Sequence, residues 1–269
     1  FLETWHGTPL KRLVFDMDDV HSANPRYKDI VFKQTRAWDY LLSDNPFSTE
    51  RFQSCFRFEK EKILEYGYPA NDPMYAPDRE EQAAKIKEKL GIPKDKKVIL
   101  YAPTFRGHVA TASSPDRIDF ERFCRELGNE YVIVCKHHPF VKNPPIIPEE
   151  LQHFARDLTK YLSIEDLLCC ADICISDYSS LVFEYSLFEK PMIFYAYDYD
   201  NYCDWRGFYY DYSEFTPGPV VQTEDELLNS IKNIDTQFDK QKVIDFKEKF
   251  MGSCDGHATE RIIALMKEN

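Results

Sequence analysis

Four short apolar runs constrain the fold more than anything else in this chain. They are Val98-Ile99-Leu100-Tyr101, Tyr131-Val132-Ile133-Val134-Cys135, Ile173-Cys174-Ile175 and Met192-Ile193-Phe194-Tyr195. Each is apolar throughout, without the alternation of a half-exposed strand, so each reads as a strand buried on both faces of a parallel sheet. Helical signals separate them. Asp78 to Leu90 reads as a helix stopped by Gly91, and Asp119 to Leu127 as another. Ser163 caps a third, with Asp166 at capping-box spacing. Ser179 to Phe188 is a fourth, and Thr223 to Asn233, Lys240 to Phe250 and Ala258 to Lys267 complete the set, with Val220-Val221 as a candidate fifth strand. Strand-helix alternation of this kind predicts a doubly wound α/β domain.

Residues 1 to about 75 follow a different regime, mixing short apolar runs with polar turns. Pro69, Pro73 and Pro77, with Asn71 and Asp72 between them, mark the join. Two domains are therefore expected, 1–75 and 76–269. The opening Phe1-Leu2-Glu3-Thr4 carries no initiator Met and is expected to be the middle of something longer.

Hydrophobic residues make up 43% of the 269, enough for a packed core. The formal charge of -12 excludes general binding of nucleic acid, which needs a basic surface. No apolar run approaches the ~18–20 residues that span a bilayer. The eight cysteines include no C-x-x-C pair and lie mostly in apolar runs, so they read as buried thiols of a reducing compartment. In such a protein an anionic ligand needs a local cluster of basic groups.

In an open parallel sheet, ligands bind beyond the carboxyl ends of the strands. The residues there are unusually polar: Pro103-Thr104-Phe105-Arg106, Lys136-His137-His138-Pro139, Ser176-Asp177-Tyr178-Ser179-Ser180 and Ala196-Tyr197-Asp198. Arg106, Lys136, His137 and His138 would form a basic cluster there. Ser179 and Ser180 sit where a helix begins, and free N–H groups at a helix start suit phosphate. Read singly, Ser179 is a helix cap and Arg106 half of a surface ion pair. His137 and His138 diverge as neighbours, and His138 is the one expected to face a ligand. Together the groups suit the diphosphate of an activated nucleotide. His6, in the Gly/Pro turn Trp5-His6-Gly7-Thr8-Pro9, can accept a proton from a hydroxyl near neutral pH.

Trp5-His6-Gly7-Thr8-Pro9-Leu10-Lys11, Gly67-Tyr68-Pro69, Tyr101-Ala102-Pro103-Thr104-Phe105-Arg106, His138-Pro139, Ile175-Ser176-Asp177-Tyr178-Ser179-Ser180, Arg206-Gly207-Phe208-Tyr209-Tyr210 and Pro217-Gly218-Pro219 occur in that order. Together they resemble the CDP-glycerol glycerophosphotransferases, the teichoic acid primase and polymerase family, over nearly the whole chain. The resemblance implies a GT-B fold of two Rossmann-like halves. Residues 76–269 would be the nucleotide-donor half and residues 1–75 the remnant of the acceptor half. It implies transfer of glycerol phosphate from CDP-glycerol, or a related nucleotide donor, to a hydroxyl of a teichoic-acid-like or capsular polymer, releasing CMP. His6 and His138 would be catalytic, His6 as the base. Thr104, Arg106, Ser179, Ser180 and Arg206 would hold the donor with His138, and Asp177 or Glu184 its ribose or base. The resemblance implies no metal and no cofactor, an acceptor on a lipid carrier, and work in the cytoplasm at the inner face of the membrane.

Three other readings stand beside this one, the first being that the chain, without its acceptor half, binds donor and turns nothing over. A sugar-nucleotide glycosyltransferase keeps the fold and changes the donor. Arg12-Leu13-Val14-Phe15-Asp16-Met17-Asp18-Asp19 resembles the first motif of haloacid dehalogenase-like phosphatases, a strand followed by Asp16 as nucleophile and Asp18 as acid/base around magnesium. Asp19 stands there in place of a small residue.

Overall fold

The computed structural model of the protein describes residues 1–18, 24–107, 111–114 and 117–268, with side chains set aside for 203–206 and 268. It divides into two compact units. The first comprises Phe1–Ala76, Tyr199–Phe215 and Ile244–Asn269, and the second Pro77–Asp198 and Thr216–Val243. Residues 199–215 and 244–269, expected in the donor domain, group instead with the N-terminal segment. Their aromatic rings explain why: Phe47 lies 4.3 Å from Tyr210 and meets Phe250 edge-on at 6.1 Å.

The second unit is a six-stranded parallel sheet. Its strands are β4 (Lys97–Ala102), β5 (Tyr131–Cys135), β6 (Ala155–Asp157), β7 (Ile173–Ser176), β8 (Met192–Tyr195) and β9 (Val220–Val221). They lie in the order β6-β5-β4-β7-β8-β9. Counted along the chain this is 3-2-1-4-5-6, the Rossmann order. Ile99 pairs with Ile133 on one side and Ile173 on the other, and Tyr101 with Cys135 and Ile175. All of these are buried. Burial on both faces is what a strand without alternation requires. Three-residue β6, at the sheet edge, carries too few residues to stand out in the sequence.

Helices α3 (Arg79–Lys89), α4 (Phe120–Leu127), α5 (Ile164–Cys170), α6 (Leu181–Ser186) and α9 (Glu224–Lys232) follow the strands, with short α10 (Ile234–Gln237) after them. Their starts are chemically specified. Asp119 accepts the Arg122 N–H, Ser163 the Asp166 N–H, and Thr223 with Glu226 forms a full capping box. Each such cap contributes about 1 kcal/mol. Phe123 and Phe154 are fully buried in the core beside Ile99 and Ile133. Each buried side chain of this size stabilises by about 1.5–3 kcal/mol. α6 is shorter than its sequence signal and gives out at Ser186.

The first unit has its own parallel sheet, β1 (Leu2–Glu3), β2 (Tyr40–Ser43) and β3 (Ile63–Glu65), in the order β1-β2-β3. With it go α1 (Tyr27–Thr35), α2 (Pro46–Phe56), α7 (Tyr199–Arg206), α8 (Tyr212–Phe215) and α12 (Ala258–Glu268). Helix α11 (Lys240–Phe250) supplies Phe246 and Phe250 to this unit. Asn45 caps α2 by accepting the Ser48 N–H at 2.7 Å, with Pro46 at the first helical position. Phe52, Phe56 and Leu41 centre its core. Gly67, at φ +76°, has room for hydrogen only: a Cβ would stand 2.5 Å from the Ser253 carbonyl oxygen.

Five of the cysteines, Cys55, Cys135, Cys170, Cys174 and Cys254, are buried free thiols. Burial pushes the Cys170 thiol up to about 12, so it is a core side chain and not a nucleophile. Among the described residues, no helix is long and apolar enough to cross a membrane.

Candidate functional site

The order of the sheet reverses between β4 and β7, and at that switch point, where sheets of this order bind ligands, the loops after both strands come together. The two loops are joined by Asp177. One of its oxygens accepts the Thr104 and Tyr178 N–H groups, each at 2.7 Å, and the other accepts Arg106 Nη2 at 2.9 Å. Arg106 reaches further, to the loop after β8. Its Nε and Nη2 donate to the two oxygens of Asp198 at 2.7 and 2.9 Å, a bidentate pair. Its Nη1 donates to the Thr104 carbonyl at 2.6 Å. The Tyr178 hydroxyl donates to Asp198 at 3.0 Å. The guanidinium also lies 5.3 Å from the ring centres of both Tyr178 and Tyr197. Burial opposes its charge, but Asp198 and Asp177 outweigh that and drive its pKa upward.

This corrects the expected basic cradle. Arg106 is held between two carboxylates, Asp177 and Asp198, and joins three post-strand loops. Lys136 is likewise occupied, donating to the Thr159 and Leu162 carbonyls at 2.9 and 2.5 Å. His137 is buried and bonded to Ser114 Oγ at 2.7 Å, and burial lowers its pKa, so it carries no charge near neutrality. The reason is common to all three: in an interior, a charge or polar group must find an internal partner.

His138 is the histidine that reaches the surface of the β5 loop. It packs 4.9 Å from Phe105 and 4.5 Å from Phe140, ring to ring. Its Nδ1 accepts the Phe140 N–H at 3.2 Å. The neutral ring therefore carries its proton on Nε2, as a hydrogen-bond donor. Through Phe105 it adjoins the Arg106 loop. Arg106, His138, Asp177 and Asp198 thus belong to one cluster at the carboxyl ends of four neighbouring strands, β5, β4, β7 and β8.

Ser179 and Ser180 lead directly into α6. Ser179 Oγ accepts the Leu181 N–H at 3.4 Å, and Ser180 is the cap residue but makes no side-chain cap bond. Among the described residues, Thr104 Oγ1 is buried without a hydrogen-bond partner, an expensive condition. Glu184 is half-buried in α6. Sequence reasoning passed over Asp198 and Tyr178 as site residues, although an acid three residues after a buried strand was a visible signal.

His6 and Arg206 belong to the first unit. The Arg206 side chain lies outside the described residues. The His6 ring reaches solvent, stacked 4.2 Å from Trp5, which meets Phe52 and Phe56 edge-on. The protein behind the ring lowers the imidazole pKa below 6.5, with Glu3 partly offsetting this. The neutral form able to accept a proton therefore dominates at pH 7.

The Asp16 segment does not build a phosphatase motif. Val14–Asp16 is one 3-10 turn, not a strand. Asp16 accepts the Tyr209 and Ser54 hydroxyls at 2.6 and 2.7 Å, whereas Asp18 pairs with Arg12 at 2.8 Å in solvent. Asp19 lies outside the described residues. Among the described residues, no three His, Cys, Asp or Glu side chains are grouped to hold a metal ion.

The family model described as CDP-glycerol:poly(glycerophosphate) glycerophosphotransferase matches residues 1–268. The chain belongs to that family. The teichoic acid poly(glycerol phosphate) polymerase of Bacillus spizizenii W23 is 37% identical over 271 residues, covering 98% of this chain and 68% of its own. The polymerase of that name from Bacillus subtilis 168 is 40% identical over 274 residues, 98% of this chain but only 36% of its own. The structure of the wall teichoic acid polymerase TagF matches with a TM-score of 0.89 at 36% identity, covering 99% of this chain and 67% of that one. A TagF variant was also solved after a 15-minute soak with CDPG. With the TagF match, the second unit is the Rossmann-like donor domain of a GT-B glycerophosphotransferase.

Proposed function

We propose that this chain transfers glycerol phosphate from CDP-glycerol to a hydroxyl of a teichoic-acid-like or capsular polymer, releasing CMP. The observation that carries the reading is the cluster of post-strand loops at the switch point, joined by Arg106, Asp177 and Asp198. Thr104, His138, Ser179 and Ser180 supply polar donors there, and Arg106 fixes the loops that present them. Family membership and the CDPG-soaked TagF support the choice of donor.

The chemistry follows from the donors. An acceptor hydroxyl attacks the phosphorus that carries glycerol and gives its proton to the His6 imidazole. The bond from that phosphorus to the bridging oxygen breaks, and CMP leaves with the oxygen and its electron pair. Negative charge grows on the CMP phosphate as it leaves. The His138 ring and the Thr104, Ser179 and Ser180 hydroxyls are donors suited to meet it. Asp177 holds the loops as a carboxylate partner of Arg106, which leaves ribose or base contacts to Glu184. An acceptor on a lipid carrier would place the reaction at the inner face of the membrane.

Calorimetry with CDP-glycerol, CDP-ribitol and UDP-glucose separates the donors, and tightest binding of UDP-glucose would favour the sugar-nucleotide reading. In the same protein, His6→Ala should leave CDP-glycerol affinity unchanged and lower transfer by about 10²–10⁴-fold. Loss of donor affinity with unaltered turnover would end the base assignment.

A further inference from the structure

Beneath the His6 turn lies a buried polar cluster that the reaction itself does not use. Thr8 is 1% exposed and Asp44 is wholly buried. Thr8 Oγ1 lies 2.7 Å from Asp44 Oδ2 and 3.0 Å from the Phe250 carbonyl oxygen, both within reach of its hydroxyl proton. Asn45 Nδ2 donates to Asp44 Oδ1 at 2.7 Å and to the Phe250 carbonyl at 2.6 Å. Ser48 Oγ donates to Asp44 Oδ1 at 3.1 Å, and the Ser253 N–H to the Asp44 carbonyl at 2.9 Å. A buried carboxylate bonded to hydroxyls and an amide is costly: burial raises its pKa to about 7 against the bonds from Thr8 and Ser48. A stability argument alone would favour an apolar group in its place.

The position of the cluster suggests its purpose. Asn45 caps α2, so Thr8 is moored to the start of that helix, while Trp5 is wedged against Phe52 and Phe56 further along it. His6 sits on the short stretch between these two moorings. Trp5 at φ +50° and Gly7 at φ +135° give the turn its shape.

We propose that Thr8 and Asp44 are positioning residues that, with Trp5, hold the His6 turn against α2 from both sides and so aim the imidazole at the acceptor hydroxyl. The inference rests on His6 acting as the base. Asp44 acts only through Thr8. Glu3 is the charged neighbour that acts on the ring itself.

The test reads His6 directly. In the wild-type chain the His6 ring protons carry the ring-current shift of Trp5, observable by NMR. Thr8→Val removes the hydroxyl at nearly constant volume and should reduce that shift and broaden the His6 signals. Thr8→Ser, which keeps the hydroxyl, should restore both. Transfer should fall about 10–100-fold in Thr8→Val, in kcat and not in KM for the donor, and return to within about threefold in Thr8→Ser. Should Thr8→Val fail to fold, Asp44→Asn gives the same NMR readout, because its amide cannot accept from both Thr8 and Asn45. Unchanged His6 signals in a folded Thr8→Val, or in Asp44→Asn, would overturn the mooring. If His6→Ala retained full transfer while the NMR changes occurred as expected, the base reading alone would fall.

Discussion

Replacing Arg106 by methionine tests whether this arginine is a clasp or a ligand. The substitution keeps an unbranched chain and deletes the charge together with its bonds to Asp177, Asp198 and the Thr104 carbonyl. The Asp177 side chain is 2% exposed and that of Asp198 22%, so water cannot fully replace the guanidinium. Removing one partner of a buried ion pair costs about 3–5 kcal/mol, because the other charge is left uncompensated. In a unit of this size that lowers the thermal midpoint by roughly 6–20 °C. Differential scanning calorimetry measures the loss. A cycle with Asp198→Asn measures the coupling, expected at about 1–3 kcal/mol. Donor affinity should fall only as far as the loops loosen. The reasoning fails if Arg106→Met costs under ~1 kcal/mol, the range of an exposed pair, while abolishing donor binding. That result would return Arg106 to direct contact with phosphate.

Two smaller perturbations probe the groups around these frames. Thr104→Val deletes a buried hydroxyl that has no partner, so the melting temperature should hold or rise while CDP-glycerol affinity drops severalfold; a lower melting temperature would mean the hydroxyl is structurally bonded. Burial holds Asp44 at about 7 in the folded chain against its ordinary 3.8, so the folded state keeps its proton longer than the unfolded one. Wild type should therefore lose stability relative to Asp44→Asn as pH rises from about 4 to 7, by on the order of 4 kcal/mol, and change no further above that. Urea unfolding at pH 4.5, 6 and 7.5 reads the difference, and a gap independent of pH would refute the buried, protonated Asp44.

The second unit was legible because its chemistry is local. Uniformly apolar runs such as Tyr131–Cys135 can only be strands with both faces covered, and Asp119, Ser163 and Thr223 announce their helices. The first unit was not. Its strands are two to four residues long, and Leu2–Glu3 becomes a strand only by pairing with Tyr40 and Leu41. The allegiance of residues 199–215 and 244–269 was hidden for the same reason, since it depends on the rings of Tyr210, Phe215 and Phe250 meeting Phe47 and each other. At the switch point, the sequence identified which residues follow the strands but not how they divide their bonds. Nothing local distinguishes an arginine aimed at phosphate from one clasped by Asp177 and Asp198.

That division of bonds has a consequence for how an acidic protein handles a diphosphate. A free arginine at the switch point would attract the donor strongly but would hold the CMP product almost as well. Clasped between two carboxylates, Arg106 contributes rigidity to the loops, and the polar groups around it are the Thr104, Ser179 and Ser180 hydroxyls and the His138 ring, whose Nδ1 accepts the Phe140 N–H. Neutral donors discriminate by direction more than by charge. They favour the geometry in which phosphate oxygens meet them, and so can stabilise the leaving group as its charge develops without retaining it afterwards. The clasp is what keeps that geometry, because each loop it joins ends a different strand and would otherwise move independently.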